Sequence, residues 1–275
     1  MALVGANVAV ARVLTDALPI PVILFLRCGL ASLVLLAFTY RPRTCVFPSR
    51  PLLANLALQA ALGTLLYNIA LLAGLRRTGA LEGGLVLASL PAVVAFGAWL
   101  LLRERLPPRR WAAAALAALA MAALTLGRAS GVAASPAGDA LIFLAVCGEA
   151  AYALLSKRIA GRIGVIQASF WMQIFSTALL APLALPLLSW PMLAGMGTTI
   201  AMLLVFHSLT ASVLSLLLWY NGMQHAPASL AGIFTVFLPA TAALLAILVL
   251  HEHPIPAHLA ALVLMLLSII LAAWS

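Results

Sequence analysis

Charge is scarce in this chain. Of its 275 residues only 8% are charged and 65% are hydrophobic, and the mean hydropathy is +1.19. A soluble domain is about one quarter charged, so the few charges here cannot cover a globule in water. The composition therefore excludes an ordinary soluble protein and indicates a chain whose surface faces lipid.

Residues that would carry enzyme chemistry are also missing. The three cysteines (Cys28, Cys45 and Cys147) are scattered, which excludes a disulfide framework or a CxxC metal site. Neither a Walker loop nor a G-x-S-x-G elbow occurs, and HEHPIPAH has Ile255 where H-E-x-x-H needs its second histidine. We predict that the protein is not an enzyme and has no catalytic residue, no cofactor and no bound metal.

Long apolar runs take up most of the sequence. A helix needs roughly 20 apolar residues to cross a bilayer, and short polar connections separate the runs here. We predict an all-α polytopic membrane protein with ten transmembrane helices, at residues 2–14, 20–40, 52–75, 81–102, 111–127, 138–156, 165–187, 196–219, 229–250 and 257–274.

The net charge of +9 lies between the apolar segments and not on one soluble face. This distribution argues against a nucleic-acid partner and indicates membrane orientation instead. If both termini are cytoplasmic, the outer loops hold only Arg76, Arg77 and Arg128. The inner loops then hold ten basic residues, which are Arg41, Arg43, Arg50, Arg103, Arg105, Arg109, Arg110, Lys157, Arg158 and Arg162. We therefore predict cytoplasmic termini.

The stretch at residues 80–126 recurs at residues 228–274. Three landmarks return 148 residues later, as the pairs Gly84 and Gly232, Pro91 and Pro239, and Glu104 and Glu252. Five helices per half would turn the second copy upside down, and the arginines agree, since RERLPPRR has four and its counterpart HEHPIPAH has none. An inverted repeat supports alternating access. The alternative is two tandem copies of a stable hairpin.

These features resemble the EamA-type carriers of the drug/metabolite transporter superfamily. The resemblance rests on a proline helix and an L-x-E turn in each half, and on Arg12, Pro19 and Arg27, Tyr67-Asn68, Gly138-Asp139, LSKR at residues 155–158 and LWYN at residues 218–221. It implies two five-helix repeats, at 1–130 and 138–275, in a multi-pass exporter of a bacterial inner membrane. The chain is most similar to YddG-type exporters of aromatic and other amino acids.

Four predicted helices carry polar or small residues at helical spacing, namely the third, sixth, seventh and eighth. Polar groups in lipid face a cavity or a partner helix, so we predict a central cavity between these helices. The alternative is close helix packing, which we favour for the serines alone. The predicted substrate-binding residues are Tyr67, Asn68, Glu149, Tyr152, Trp219 and Asn221.

Glu149 is the one acid well inside a predicted helix. An ionised carboxylate at mid-bilayer costs roughly 2.5–3.5 kcal/mol, so we predict that it meets a substrate ammonium or titrates during the cycle. Tyr67 and Trp219 would supply ring faces, unless they form an interfacial belt. Asn68 and Asn221 would bond the substrate, or cap or link helices.

The remaining marked residues have conformational or anchoring roles. Pro91 and Pro239 each remove a backbone hydrogen bond, and we predict that their helices bend during gating. We predict that Glu104 and Glu252 anchor their turns at the interface. We predict that Arg12 and Arg27 pair with helix ends; the alternative is that they bind a substrate carboxylate.

The sequence thus predicts an inner-membrane secondary carrier that exports small metabolites, foremost amino acids including aromatic ones, by alternating access. The alternatives are a multidrug or other metabolite carrier of the same fold, an intramembrane lipid-handling enzyme, and a channel. The expected partners are a small-molecule substrate and the lipid bilayer, with no nucleic acid, and the expected assembly is a monomer.

Overall fold

A computed structural model describes residues 2–39, 47–77, 86–87, 89–125, 135–237, 241 and 256–273. Pro239, Glu252 and Gly84 lie outside these residues. The described part is helical apart from turns and short connections. Its main helices are α1 (Ala2–Ala17), α2 (Ile20–Thr39), α3 (Arg50–Leu75), α4 (Leu90–Leu101), α5 (Pro108–Thr125), α6 (Pro136–Ile159), α7 (Val165–Ala184), α8 (Thr198–His225), α9 (Ala228–Phe234) and α10 (Pro256–Ala273).

Within the described residues, five helices are long and apolar enough to cross a membrane, namely α2, α3, α6, α7 and α8. Helix α8 extends further than the sequence predicts, since the predicted segment ends at residue 219 and the helix ends at His225. It ends there because Pro227 pushes the preceding residue towards extended backbone, and Ala226 has φ −120° and ψ 149°. Trp219 therefore lies inside the helix.

The internal repeat recurs in the helix boundaries. Helices α3 and α8 each contain a seven-residue π-helical turn, Ala60–Leu66 in α3 and Ser208–Leu214 in α8. The first residues of these turns, 60 and 208, and their last residues, 66 and 214, are both 148 apart. Because π-turns are rare and often occur at functional sites, the middle of α3 and of α8 is where function is expected.

Small side chains bring helices together. Helix α2 packs against α7, and α5 packs against α10. In the second pair, Ser268 Oγ donates a hydrogen bond to the Ala113 carbonyl oxygen at 2.7 Å, which shows how closely the two helices approach. Small residues favour such contacts in a bilayer, and four alanines of α5 are buried here, Ala113, Ala114, Ala117 and Ala120.

Helix α4 begins at Leu90; in the predicted segment before it Val86 and Leu87 are helical, and residues 81–85 and 88 lie outside the described residues. Just before it, the Ser89 backbone N–H and hydroxyl both donate to the Val86 carbonyl oxygen, at 3.0 and 2.7 Å. Pro91 then lies in the first turn of α4, where a missing N–H breaks no helical hydrogen bond. Within the described residues Pro91 therefore lies at the start of a helix, after the turn at Ser89, and the bending of its helix during gating stays a prediction.

The carboxylate of Glu104, in the turn after α4, holds the start of α9. It accepts hydrogen bonds from the backbone N–H groups of Ala228 and Ser229 at 2.7 and 3.2 Å, and from Ser229 Oγ at 2.9 Å. These N–H groups have no partner within their own helix, and a carboxylate also suits the positive end of a helix. Glu104 therefore caps a helix 124 residues further along the chain.

Lys157, the only lysine of the chain, holds the end of α8 in the same way. Its Nζ donates to the carbonyl oxygens of Met223 and Ala226 at 2.9 and 2.7 Å. Such carbonyls are the unsatisfied acceptors of a helix end, where a cation is also favourable. Lys157 and Glu104 thus fix the two sides of the short connection between α8 and α9.

Candidate functional site

Two glycines allow α3 and α6 to approach closely. A Cβ at Gly63 would lie 2.7 Å from a side-chain atom of α6, and one at Gly148 would lie 2.8 Å from the Leu62 carbonyl oxygen. Real Cβ atoms essentially never come this close, so a larger residue would push the helices apart. The approach brings Glu149 of α6 within electrostatic range of Tyr67 on α3.

The Glu149 carboxylate is half-buried, and no hydrogen bond or ion pair joins it to the residues that the structure describes. The polar side chains that it influences electrostatically are Tyr67 and Tyr152. An ionised carboxylate without a partner in the hydrocarbon costs roughly 2.5–3.5 kcal/mol. This position therefore calls for a cation, a proton or water.

An aromatic pair lies one helical turn from Glu149. The rings of Tyr152 on α6 and Trp219 on α8 stack with centroids 5.8 Å apart and planes inclined by 15°. The buried Trp219 Nε1 has no hydrogen-bond partner within the described chain, although a buried indole N–H normally finds an acceptor. The pair thus offers a ring surface and an unused donor close to the carboxylate.

Gln59, which sequence analysis did not select, ties three helices together beside this pair. Its side chain is fully buried, and its Oε1 accepts hydrogen bonds from Ser156 Oγ at 2.9 Å and from the Tyr220 hydroxyl at 2.7 Å. Its Nε2 donates to Asn55 Oδ1 at 2.6 Å. One signal could have revealed it, because its counterpart 148 residues later is also polar, His207.

The two candidate asparagines have different surroundings. Asn68 is half-buried beside Tyr67, but its Nδ2 donates to the Thr64 carbonyl oxygen of its own helix at 2.6 Å. The side chain of Asn221 is exposed. The structure thus brings together Tyr67, Glu149, Tyr152 and Trp219, keeps Asn68 next to them, and places Asn221 apart.

The predicted polar stripes of α7 and α8 make contacts typical of helix packing. Ser208 and Ser215 each donate to a backbone carbonyl of their own helix, at 2.7 and 2.8 Å. Gln173 Nε2 donates to the Ser212 carbonyl oxygen at 2.8 Å and so joins α7 to α8. These residues position the helices around the cluster.

Two surface cavities lie away from the cluster. One, of about 510 Å³, lies at the RERLPPRR turn between Trp99 and Trp111. The other, of about 320 Å³, lies between the end of α2 and the start of α7. Neither is lined by a predicted substrate-binding residue, so the site is defined by its side-chain chemistry.

Apolar helices around a polar and aromatic cluster define a class, the multi-pass α-helical membrane proteins. Comparison gives the family: the EamA-like transporter family matches residues 1–126 and 136–274. The chain belongs to this family, whose fold has ten membrane helices. The protein is therefore a membrane transporter and not an enzyme, as the sequence predicts.

One curated relative and one solved structure agree with this assignment. The chain is 29% identical over 271 residues to the uncharacterized transporter YetK of Bacillus subtilis (strain 168), across 92% of this chain and 78% of the relative. A crystal structure described only as that of a protein has a TM-score of 0.81 at 21% identity, covering 99% of this chain and 93% of the other. This second likeness concerns the fold alone.

Proposed function

We propose that the protein is a secondary carrier that exports amino acids, including aromatic ones, from a bacterial cell by alternating access. The observation that carries this proposal is the half-buried Glu149 carboxylate, which lacks an ion-pair partner among the described residues and lies beside an aromatic pair. A substrate ammonium would supply the missing cation. An aromatic side chain of the substrate would meet the ring surface.

Each remaining candidate has a role in this proposal. The Tyr67 and Tyr152 rings flank the substrate ammonium, since ring faces attract cations. Trp219 stacks against the substrate and donates its free N–H. The side-chain oxygen of Asn68, Oδ1, stays available as an acceptor, because Nδ2 already donates a hydrogen bond to the Thr64 carbonyl oxygen. Asn221, which is exposed, would meet the substrate only near the end of the pathway.

Alternating access is supported by the repeated irregularities of the helices. Both α3 and α8 have a π-turn at equivalent places, and α4 starts next to a turn at Ser89. Interrupted helices near the midplane are common at transporter substrate sites. We propose that Pro91 and Pro239 belong to the moving segments, and that the arginine-rich turns and both termini lie in the cytoplasm of an inner-membrane protein.

Counterflow of labelled amino acids in proteoliposomes tests the function, with phenylalanine and tryptophan first. We expect exchange by the wild-type protein and a loss of about 10- to 100-fold in Glu149→Gln, because a hydrogen bond to a charged group contributes roughly 1.5–3 kcal/mol. Asp16→Asn is the matched control, since Asp16 is an exposed acid of α1.

Three outcomes would contradict the proposal. Wild-type protein that exchanges no amino acid would refute amino-acid transport, and exchange of drugs or other metabolites instead would favour the alternative carrier. Unchanged phenylalanine exchange by Glu149→Gln would remove Glu149 from the site. Flux without counterflow would indicate a channel.

A further inference from the structure

A second polar cluster lies where α1, α2 and α8 meet. It is built from Asn7, Arg27, His207 and Thr210. Arg27 is seven residues into α2, which at 1.5 Å per residue is about 10 Å from the start of that helix. A guanidinium at this depth costs several kcal/mol unless a partner compensates it.

The hydrogen bonds determine which ring nitrogen of His207 carries a proton. Asn7 Nδ2 donates to the Leu3 carbonyl oxygen at 2.8 Å, which sets the orientation of the amide. Asn7 Oδ1 is then an acceptor, for Thr210 Oγ1 at 2.9 Å and for His207 Nδ1 at 2.9 Å. His207 Nδ1 must therefore carry a proton. In the neutral ring Nε2 is then an acceptor, and it faces Arg27 Nη1 at 3.5 Å.

Among the described residues Arg27 thus has only neutral partners, and none of them compensates its positive charge. Besides His207, its neighbour is the thiol of Cys28. Within the described part of the chain its buried Nε has no hydrogen-bond partner, and no carboxylate pairs with it. The side chain is only half-buried, so the described residues leave part of it uncovered. An anion is the group that this arrangement lacks.

Polar contacts connect this cluster to the candidate site. Thr210 lies in the π-turn of α8, and the carbonyl oxygen of Ser212 in the same turn accepts a hydrogen bond from Gln173 on α7. One turn along α7, Ser176 Oγ lies 3.2 Å from Thr64 Oγ1 on α3. The Thr64 carbonyl oxygen in turn accepts a hydrogen bond from Asn68, next to Tyr67. These contacts join α8 to α7 and α7 to α3, the helices that lie between the two clusters.

We propose that Arg27 binds the carboxylate of the transported substrate. A guanidinium presents several N–H donors in a fork that matches a carboxylate, and His207, held by Asn7, keeps one of its amino groups in place. The ligand class is a monocarboxylate. That this carboxylate belongs to an amino acid rests on the proposed function.

Equilibrium binding to the protein in lipid nanodiscs tests the inference with three probes. Phenylalanine has both charged groups, its methyl ester lacks the carboxylate, and 3-phenylpropionate lacks the amine. We expect wild-type protein to bind phenylalanine about 10- to 100-fold more tightly than the ester. In Arg27→Gln we expect phenylalanine to fall to the affinity of the ester, with the ester unchanged. Arg162→Gln, an exposed arginine, is the matched control and keeps the wild-type preference.

The outcomes separate this inference from the proposed function. If phenylalanine exchanges in proteoliposomes and Arg27→Gln keeps its preference over the ester, the inference is overturned and amino-acid transport stands. If no amino acid exchanges but 3-phenylpropionate binds in an Arg27-dependent way, amino-acid transport fails and the carboxylate site stands. If Arg27→Gln does not fold, two other measurements test the inference. One is the wild-type preference for phenylalanine over its ester. The other is Arg27→Lys, which we expect to lose part of that preference because lysine keeps the charge but lacks the guanidinium fork. Equal wild-type affinity for phenylalanine and its ester overturns the inference.

Discussion

The contact between Glu104 and the start of α9 makes a sharp stability prediction. The carboxylate accepts three hydrogen bonds, from the N–H groups of Ala228 and Ser229 and from the Ser229 hydroxyl. In Glu104→Gln one oxygen becomes an amide donor, so at least one bond is lost and the charge disappears. Ser229→Ala removes only the hydroxyl bond.

The magnitude follows from these contacts. A hydrogen bond to a charged group contributes about 1.5–3 kcal/mol, and losing a helix cap costs about 0.5–2 kcal/mol. Since Glu104 is only half-buried, solvent weakens the contact, and we expect Glu104→Gln to lower the free energy of unfolding by about 1–2 kcal/mol. Ser229→Ala should cost about 0.5–1.5 kcal/mol.

Thermal unfolding of the purified protein in detergent measures this effect. For a chain of this size each kcal/mol corresponds to about 2–4 °C in Tm. Arg105→Gln, at an exposed neighbouring position, should melt as the wild type does. Because Glu104 and Ser229 are in contact, the double variant should lose less than the sum of the single variants. A wild-type Tm for Glu104→Gln, or strict additivity in the double variant, would refute the capping role.

Two further predictions concern the approach of α3 to α6 and the start of α4. Gly148→Ala should lower Tm, since its Cβ would lie 2.8 Å from the Leu62 carbonyl oxygen. Gly222→Ala is the control and should raise or keep Tm, because no described atom lies within 4 Å of its Cβ and alanine favours a helix. Equal shifts of Tm in the two variants would contradict this. Pro91→Ala should change counterflow turnover more than substrate affinity and leave Tm nearly unchanged, because a first-turn proline breaks no helical bond; a variant with wild-type turnover would argue against gating.

The positions of the helices could be predicted because lipid imposes length and apolarity on each segment. The position of Glu149 inside a helix could be predicted for a related reason, since an acid in an apolar run needs a compensating group; its role as a substrate ligand stays a prediction. The sequence also indicated that Pro91 matters, but not that it lies in the first turn of a helix. Whether a proline kinks a helix or starts one depends on the residues just before it, here the turn at Ser89.

The polar centres of the structure could not be predicted in the same way. Gln59 and His207 lie among apolar and small polar residues, a pattern equally typical of helix packing. Their partners are distant in sequence: Tyr220 is 161 residues from Gln59, and Arg27 is 180 residues from His207. The π-turns were also hidden, because local sequence periodicity does not distinguish them from α-helix. Only the tertiary contacts reveal these features.

The two π-turns lie 148 residues apart, but the residues that precede them differ in side-chain chemistry. Gln59 and His207 are each the last residue before a π-turn, 148 residues apart. The side-chain oxygen of Gln59 accepts hydrogen bonds from two hydroxyl groups, which are neutral. The ring of His207 instead accepts a hydrogen bond from the cationic Arg27. An amino acid has two unlike charged ends, so a site for it needs unlike surroundings. On the proposed function, substrate preference should depend most on the charged residues Arg27 and Glu149, and least on the glycines, serines and caps that hold the helices in place.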